Sequence, residues 1–232
     1  MTVVKICGIT EEEHALYALE AGADLLGFVF APSRRQLSAD AAARIIEVCR
    51  RLFPPKQRPW QAVGVFANQP MELVLATSKQ CRLDVVQLSG REPADYCARV
   101  PLPVFKAVHV PETTATALCA PLGLVGGTTL LRSTLRLLKE DYAATRLVLD
   151  SGGTGQWGGS GKPFPWESVG DAARDCLVAG GLNPENVAEA IAVMRPWGVD
   201  TSSGVETNGR KDPHMIRRFI NAVRRCDTYA SH

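Results

Sequence analysis

The stretch VVKICGITEEEHALYALEAGADLLGFVF, residues 3–30, holds one complete unit of the pattern that organises this chain. Val3–Cys7 is a β-branched, apolar run that gives way to Gly8 and Thr10 and then to three glutamates. That is the chemistry of a buried strand handing over to a helix N-terminus. Glu12–Glu20 follows with amphipathic helical spacing, and Leu25–Phe30 is a second apolar run.

The same alternation continues to the end of the chain. Strand-like runs recur at Ala62–Phe66, Val85–Leu88, Val104–Val108, Leu147–Asp150, Leu177–Ala179 and Val199–Thr201. Helical patterns lie at Ala39–Leu52, Met71–Ser78, Ala94–Arg99, Trp166–Ala173, Glu185–Met194 and Pro213–Arg225. Eight β-then-α units in 232 residues predict an α/β fold, a (β/α)8 TIM barrel with parallel strands, in one domain over residues 1–232. A doubly wound open sheet is the structural competitor. Between the fifth and sixth strands the stretch 111–145 is longer than one helix needs. It carries an apolar, glycine-containing piece, Leu122–Gly127, and then a helix-like Thr129–Tyr142. No Pro/Ser-rich linker or low-complexity tract interrupts the series.

Composition narrows the function classes. With 46% hydrophobic and 22% charged residues the chain is neither disordered nor fibrous. The net charge is +2, and the cations are scattered apart from pairs such as Arg34-Arg35 and Arg224-Arg225, which argues against a nucleic-acid partner. No run approaches the roughly 18 apolar residues of a membrane span, and no signal-peptide pattern opens the chain. The seven cysteines, at 7, 49, 81, 97, 119, 176 and 226, are odd in number and form no C-x-x-C pair. A disulfide framework or a zinc site is not expected, and a reducing cytoplasm suits them.

In a barrel the strand C-termini and the loops after them form the reactive face. Cys7 ends the first strand; a thiol there is either an inert filler or a catalyst. Lys5 lies on the same side of the strand by period-two alternation and could lower the thiol's pKa. Asp150 closes the sixth strand ahead of a glycine-rich stretch running to Lys162, suited to a closing loop; the aspartate reads as a loop cap or as a general acid. Gly180-Gly181 at the seventh strand end precede Asn183, expected to N-cap a helix with Pro184 at its first position. With Ser202-Ser203-Gly204 on the neighbouring loop, they form the backbone and hydroxyl surroundings an anion such as phosphate requires.

Lys5-Ile6-Cys7-Gly8-Ile9-Thr10 resembles the opening motif of the phosphoribosylanthranilate isomerases of tryptophan biosynthesis. The likeness continues through Gly27-Phe28-Val29-Phe30, Ser33-Arg34-Arg35, Val63-Gly64-Val65-Phe66, Val86-Gln87-Leu88, Leu149-Asp150 and Gly158-Gly159-Ser160-Gly161-Lys162. It ends with Gly180–Val187 and Asp200–Glu206, in the family's order over nearly the whole chain. The resemblance implies a barrel without cofactor or metal that rearranges N-(5-phosphoribosyl)anthranilate to 1-(2-carboxyphenylamino)-1-deoxyribulose 5-phosphate. It implies Asp150 as general acid, Cys7 as general base, Arg35 on the anthranilate carboxylate, and Gly180, Gly181, Ser202, Ser203 and Gly204 around the phosphate. It also implies a cytoplasmic monomer or homodimer, and in some relatives a part of a multifunctional tryptophan-pathway polypeptide.

Three departures stand out against that pattern, one of them the long stretch 111–145, which exceeds what bacterial relatives show. Ser89 occupies the place of the family's usual histidine after the fourth strand. The Ala31–Arg35 loop is short, which leaves both Arg34 and Arg35 as candidates for the carboxylate. Among related barrels, the histidine-pathway aldose–ketose isomerases use two aspartates where this chain has Cys7, and indole-glycerol phosphate synthases need a lysine–glutamate pair that is not found here. A non-catalytic ligand-binding barrel is the reading from a different class.

Overall fold

The structure, a computed structural model, describes residues 1–54, 56, 59–110, 128–151 and 163–229. The apolar piece Leu122–Gly127 and the glycine-rich stretch through Lys162 lie outside the described residues. Eight parallel strands close into a barrel: β1 (Val3–Cys7), β2 (Leu25–Val29), β3 (Gln61–Phe66), β4 (Val85–Leu88), β5 (Val104–Val110), β6 (Arg146–Ser151), β7 (Leu177–Val178) and β8 (Gly198–Thr201). The seam is β1 against β8, with Val3 opposite Gly198 and Lys5 opposite Asp200. The open-sheet alternative is thereby excluded.

Helices α1 (Glu12–Ala21), α2 (Ala39–Leu52), α3 (Met71–Cys81), α4 (Ala94–Ala98), α5 (Thr128–Asp141), α6 (Trp166–Val169), α7 (Val187–Met194) and α8 (Pro213–Tyr229) join the strands or follow the last one. In α2 the residues Ala42, Ile45, Ile46 and Cys49 are buried, one stripe at helical spacing, and Ser38 caps the N-terminus by accepting from the Ala41 N–H at 3.2 Å. α1 ends where Gly22 takes a left-handed φ of 113°. None of the described helices is long and apolar enough to cross a membrane.

Three expectations need correction. The helix expected over Trp166–Ala173 breaks at Gly170, whose φ is +51°, and continues as a 3-10 turn over Gly170–Asp175. β5 continues past Val108 to Val110, so His109 belongs to the strand. Asn183 does not cap α7: its Oδ1 accepts from the N–H groups of Glu185 and Asn186 in a separate turn, and the helix starts at Val187. An asparagine two residues ahead of a free N–H closes such a turn at lower cost than it extends a helix.

Two apolar layers hold the barrel. Outside the sheet, residues such as Val4, Ile6, Leu26, Phe28, Leu147 and Leu149 pack against the helices. Inside it, Leu25, Val63, Val85, Phe105, Ala107, Val148, Leu177 and Ala179 form a separate cluster. The two sets alternate along each strand, as a period of two demands. Each large side chain so buried contributes about 1.5–3 kcal/mol, and the interior set is the floor on which everything above it rests.

Candidate active site

One step above the apolar floor, the inward positions change character. Cys7 follows Lys5, Gln87 follows Val85, His109 follows Ala107, Asp150 follows Val148 and Asp200 follows Gly198, all by the same two-residue period. These side chains line an open cavity of about 860 Å³ on the C-terminal face of the barrel. Every residue expected from the sequence is on its wall: Cys7, Arg35, Asp150, Gly180, Gly181, Ser202, Ser203 and Gly204.

Beneath the cavity, Lys5 is completely buried and its Nζ lies 2.7 Å from Asp200 Oδ2 across the seam. Burial pulls the lysine pKa down, but Asp200 and Cys7 more than offset it, so the ammonium stays charged. Burial pushes the Cys7 thiol above its ordinary value; the charge of Lys5 opposes that push, Asp200 adds to it, and Lys211 opposes it. Asp150 is raised to about 7, first by burial and then by the charge of Asp200. A carboxyl that is still half protonated at neutral pH can donate a proton, and a thiol beside a fixed ammonium can accept one.

The wall between β6 and β1, the strands of Asp150 and Cys7, is made by the loops after β7 and β8 and is rich in glycine and hydroxyl groups. Gly180 and Gly181 both have left-handed φ values, +84° and +68°. A side chain at Gly180 would press on Ser151, whose N would lie 2.7 Å from the added Cβ. Only glycine follows this path, and it leaves backbone N–H groups open to close approach. Next to it, Ser202 Oγ donates to the Cys7 carbonyl at 3.0 Å, and Ser203 and Gly204 belong to a 3-10 turn over Ser203–Val205. The loop after β8 is thus tied to the strand that carries the thiol.

The third wall is cationic. Arg34 and Arg35, on the loop after β2, both reach Glu206: Arg34 Nη2 donates to Oε2 at 2.6 Å, and Arg35 donates from Nε to Oε1 at 2.7 Å and from Nη2 to Oε2 at 2.9 Å. Lys211 Nζ donates to the same carboxylate at 2.8 Å and to the Ser202 carbonyl at 2.9 Å. Burial pushes Glu206 up, but hydrogen bonds from Arg35 and Lys211 and their charges overcome it and hold the carboxyl at about 2.

Glu206 and Lys211, which brace Arg35 and Ser202 from behind the wall, have no counterpart among the residues expected from the sequence. They face each other on a small antiparallel hairpin, β9 (Glu206–Thr207) and β10 (Arg210–Lys211). The readable signal was Asn208-Gly209, the commonest two-residue hairpin turn, and both residues have positive φ, 52° and 77°. Gln87, Ser89 and His109 were also not proposed as ligands. Gln87 Nε2 donates to Ser89 Oγ at 3.1 Å while its Oε1, like Asp200 Oδ1, is buried without a partner among the described residues. Among those residues no group of three or more His, Cys, Asp or Glu side chains could hold a metal ion.

The family model described as N-(5'phosphoribosyl)anthranilate (PRA) isomerase matches residues 4–122 and 129–222. The N-(5'-phosphoribosyl)anthranilate isomerase of Roseiflexus castenholzii is 43% identical over 225 residues, 96% of this chain and 98% of the relative. That of Dehalococcoides mccartyi is 42% identical over 229 residues, covering 98% of both chains. Among solved structures, the Thermotoga maritima phosphoribosyl anthranilate isomerase superposes with a TM-score of 0.75 at 37% identity, covering 97% of this chain and 99% of that one. A phosphoribosyl anthranilate isomerase in complex with reduced 1-(o-carboxyphenylamino)-1-deoxyribulose 5-phosphate superposes with a TM-score of 0.72 at 35% identity over the same shares.

Proposed function

Since the chain belongs to the N-(5'-phosphoribosyl)anthranilate isomerase family of tryptophan biosynthesis, we propose that Cys7 and Asp150 are the base and the acid of its rearrangement. The observation that carries the reading is that Cys7 and Asp150 line one cavity, the thiol two residues along the strand from the buried Lys5 ammonium and the carboxyl raised to about 7 by burial. Asp150 gives its proton to the furanose ring oxygen of N-(5-phosphoribosyl)anthranilate. The C1–O bond breaks as the nitrogen lone pair forms the C1=N bond, and a protonated Schiff base results. Cys7, as thiolate, takes the proton from C2; the C–H pair becomes the C1=C2 bond and the C1=N pair returns to nitrogen. The enolamine then gains a proton at C1 and loses the one on its C2 oxygen, which yields 1-(2-carboxyphenylamino)-1-deoxyribulose 5-phosphate. Atoms and charge are conserved, as an isomerisation requires.

The remaining walls bind the two ends of the substrate. Gly180, Gly181, Ser202, Ser203 and Gly204 receive the phosphate, whose charge suits left-handed backbone N–H groups. Arg35, the more buried of the two arginines, takes the anthranilate carboxylate through its planar fork. The reacting carbons are thus held between Cys7 and Asp150 by both ends at once.

Turnover of freshly generated phosphoribosylanthranilate tests the assignment. Cys7→Ser and Asp150→Asn should each lose about a thousandfold or more in kcat, since each removes a whole base or acid function. A rate near that of the wild type in either variant would sink its role.

A further inference from the structure

Glu206 has no place in the chemistry just described, yet behind the cavity wall it bonds both arginines of that wall and Lys211. Its carboxylate is only 5% exposed and is shared by Arg34, Arg35 and Lys211. Three cations on one carboxylate leave a positive surplus, so Glu206 does not cancel the attraction of this wall for an anion.

What it does instead follows from which edge of Arg35 it holds. A guanidinium has five N–H donors in one plane. Glu206 takes the side edge, Nε and one hydrogen of Nη2, in a bidentate grip. No described residue accepts from Nη1, so the end-on fork, Nη1 with the other Nη2 hydrogen, is unused. The stem of the arginine is fixed too: it passes so close over Gly8 that a Cβ there would run into Arg35 Cδ. The guanidinium is therefore held over Gly8, just past the end of β1, with one fork filled and the other without an acceptor among the described residues. Lys211 adds a second tether, because it binds Glu206 and the Ser202 carbonyl together and ties the arginine wall to the loop after β8.

We propose that Glu206 is a positioning residue that presents the free fork of Arg35 to the substrate carboxylate, and so sets the preference for an ortho-carboxylated aromatic amine. The inference rests on the reading that Arg35 receives that carboxylate. A planar fork fixed in advance loses less freedom on binding than a free arginine does, and the gain appears only for a ligand that can use both N–H groups.

The test uses two inhibitors: 1-(2-carboxyphenylamino)-1-deoxyribitol 5-phosphate and the same compound without the carboxyl group. Glu206→Gln and Glu206→Asp are measured with Arg35→Ala, each with its thermal midpoint. Asp keeps the charge that Lys211 needs but is too short for the bidentate grip. In both Glu206 variants the carboxylated inhibitor should weaken about tenfold or more while its counterpart changes less than about threefold. In turnover, KM should rise and kcat should stay within about threefold. Arg35→Ala should abolish the preference between the two inhibitors.

If Arg35→Ala loses the preference and the Glu206 variants keep it, the positioning role is wrong and the arginine reading survives. If Arg35→Ala keeps the preference, the carboxylate is bound elsewhere and both fall. Equal weakening of the two inhibitors in Glu206→Asp would reduce Glu206 to a structural brace and overturn the proposal.

Discussion

Lys5 Nζ lies 2.7 Å from Asp200 Oδ2 inside the barrel, on strands that neighbour each other only because the sheet closes. Both side chains are within the interior, at 0% and 8% exposure: Lys5 lies beneath the cavity and Asp200 lines it together with Cys7 and Asp150. The pair influences both groups: Lys5 favours the thiolate of Cys7, and the charge of Asp200 helps keep Asp150 protonated.

Removing one member of such a pair leaves the other as a buried, uncompensated charge. Lys5→Met and Asp200→Asn should each destabilise the fold by about 3–5 kcal/mol, whereas the double variant should lose clearly less than the sum. Urea unfolding of the four proteins measures the coupling. Additive losses would show that the two residues do not act as a pair.

The order of titration determines the pH profile. Asp150, at about 7, loses its proton before the raised Cys7 thiol does, so on the proposed roles the form with protonated acid and ionised base is a minor one. Its share grows as pH rises to about 7, is level above that, and falls beyond the thiol value. The kcat/KM profile should therefore rise through about pH 7 and decline only well on the alkaline side. Lys5→Met should move the alkaline limb upward, because it removes the charge that favours the thiolate. An alkaline limb that does not respond to Lys5 would detach it from Cys7.

Asp150 carries a stability cost that can be read separately from activity. Its folded value of about 7 exceeds the ordinary 3.8, so the folded state binds the proton more tightly. The contribution is complete below about pH 4 and is lost as pH rises through about 7. Asp150→Asn, a neutral isostere, should be about as stable as the wild type at pH 4 and more stable at pH 8, by up to about 3–4 kcal/mol. Denaturant midpoints at the two pH values give the answer; a variant less stable at pH 8 contradicts the cost.

Gly180→Ala tests the anion wall. The φ of +84° and the pressure on Ser151 should cost about 1–2 kcal/mol of stability and raise KM for the phosphorylated substrate. Inorganic phosphate, as a competitive inhibitor, should weaken in parallel. An unchanged phosphate inhibition constant would place the anion elsewhere.

Local chemistry made the barrel and much of its rim readable. Val3–Cys7, Val85–Leu88 and Ala39–Leu52 have the bounds that periodicity assigns, because each is a clean apolar pattern closed by polar or glycine residues. What stayed hidden depends on distance along the chain or on very short elements. His109 falls just past the Val104–Val108 strand that the sequence predicts, because a polar residue there interrupts the apolar run, yet its period with Phe105 and Ala107 makes it part of the inward face. The Asp200 partner of Lys5 is 195 positions away, beyond any local pattern. Glu206 and Lys211 lie on strands of two residues each, too short for a periodic signal, so the Asn208-Gly209 turn was their only local trace.

The β1–β8 seam has a consequence for how activity is acquired during folding. The thiol, its ammonium, the aspartate paired with that ammonium and the Ser202 hydroxyl on the Cys7 carbonyl come from the first strand and from the last strand and its loop, joined by contacts 195 residues apart. Such contacts repay their loop-closure entropy only when the ring is complete. A refolding chain can therefore recover most of its helices and its apolar interior while still inert. The appearance of turnover then times the moment at which the two ends of the sheet meet.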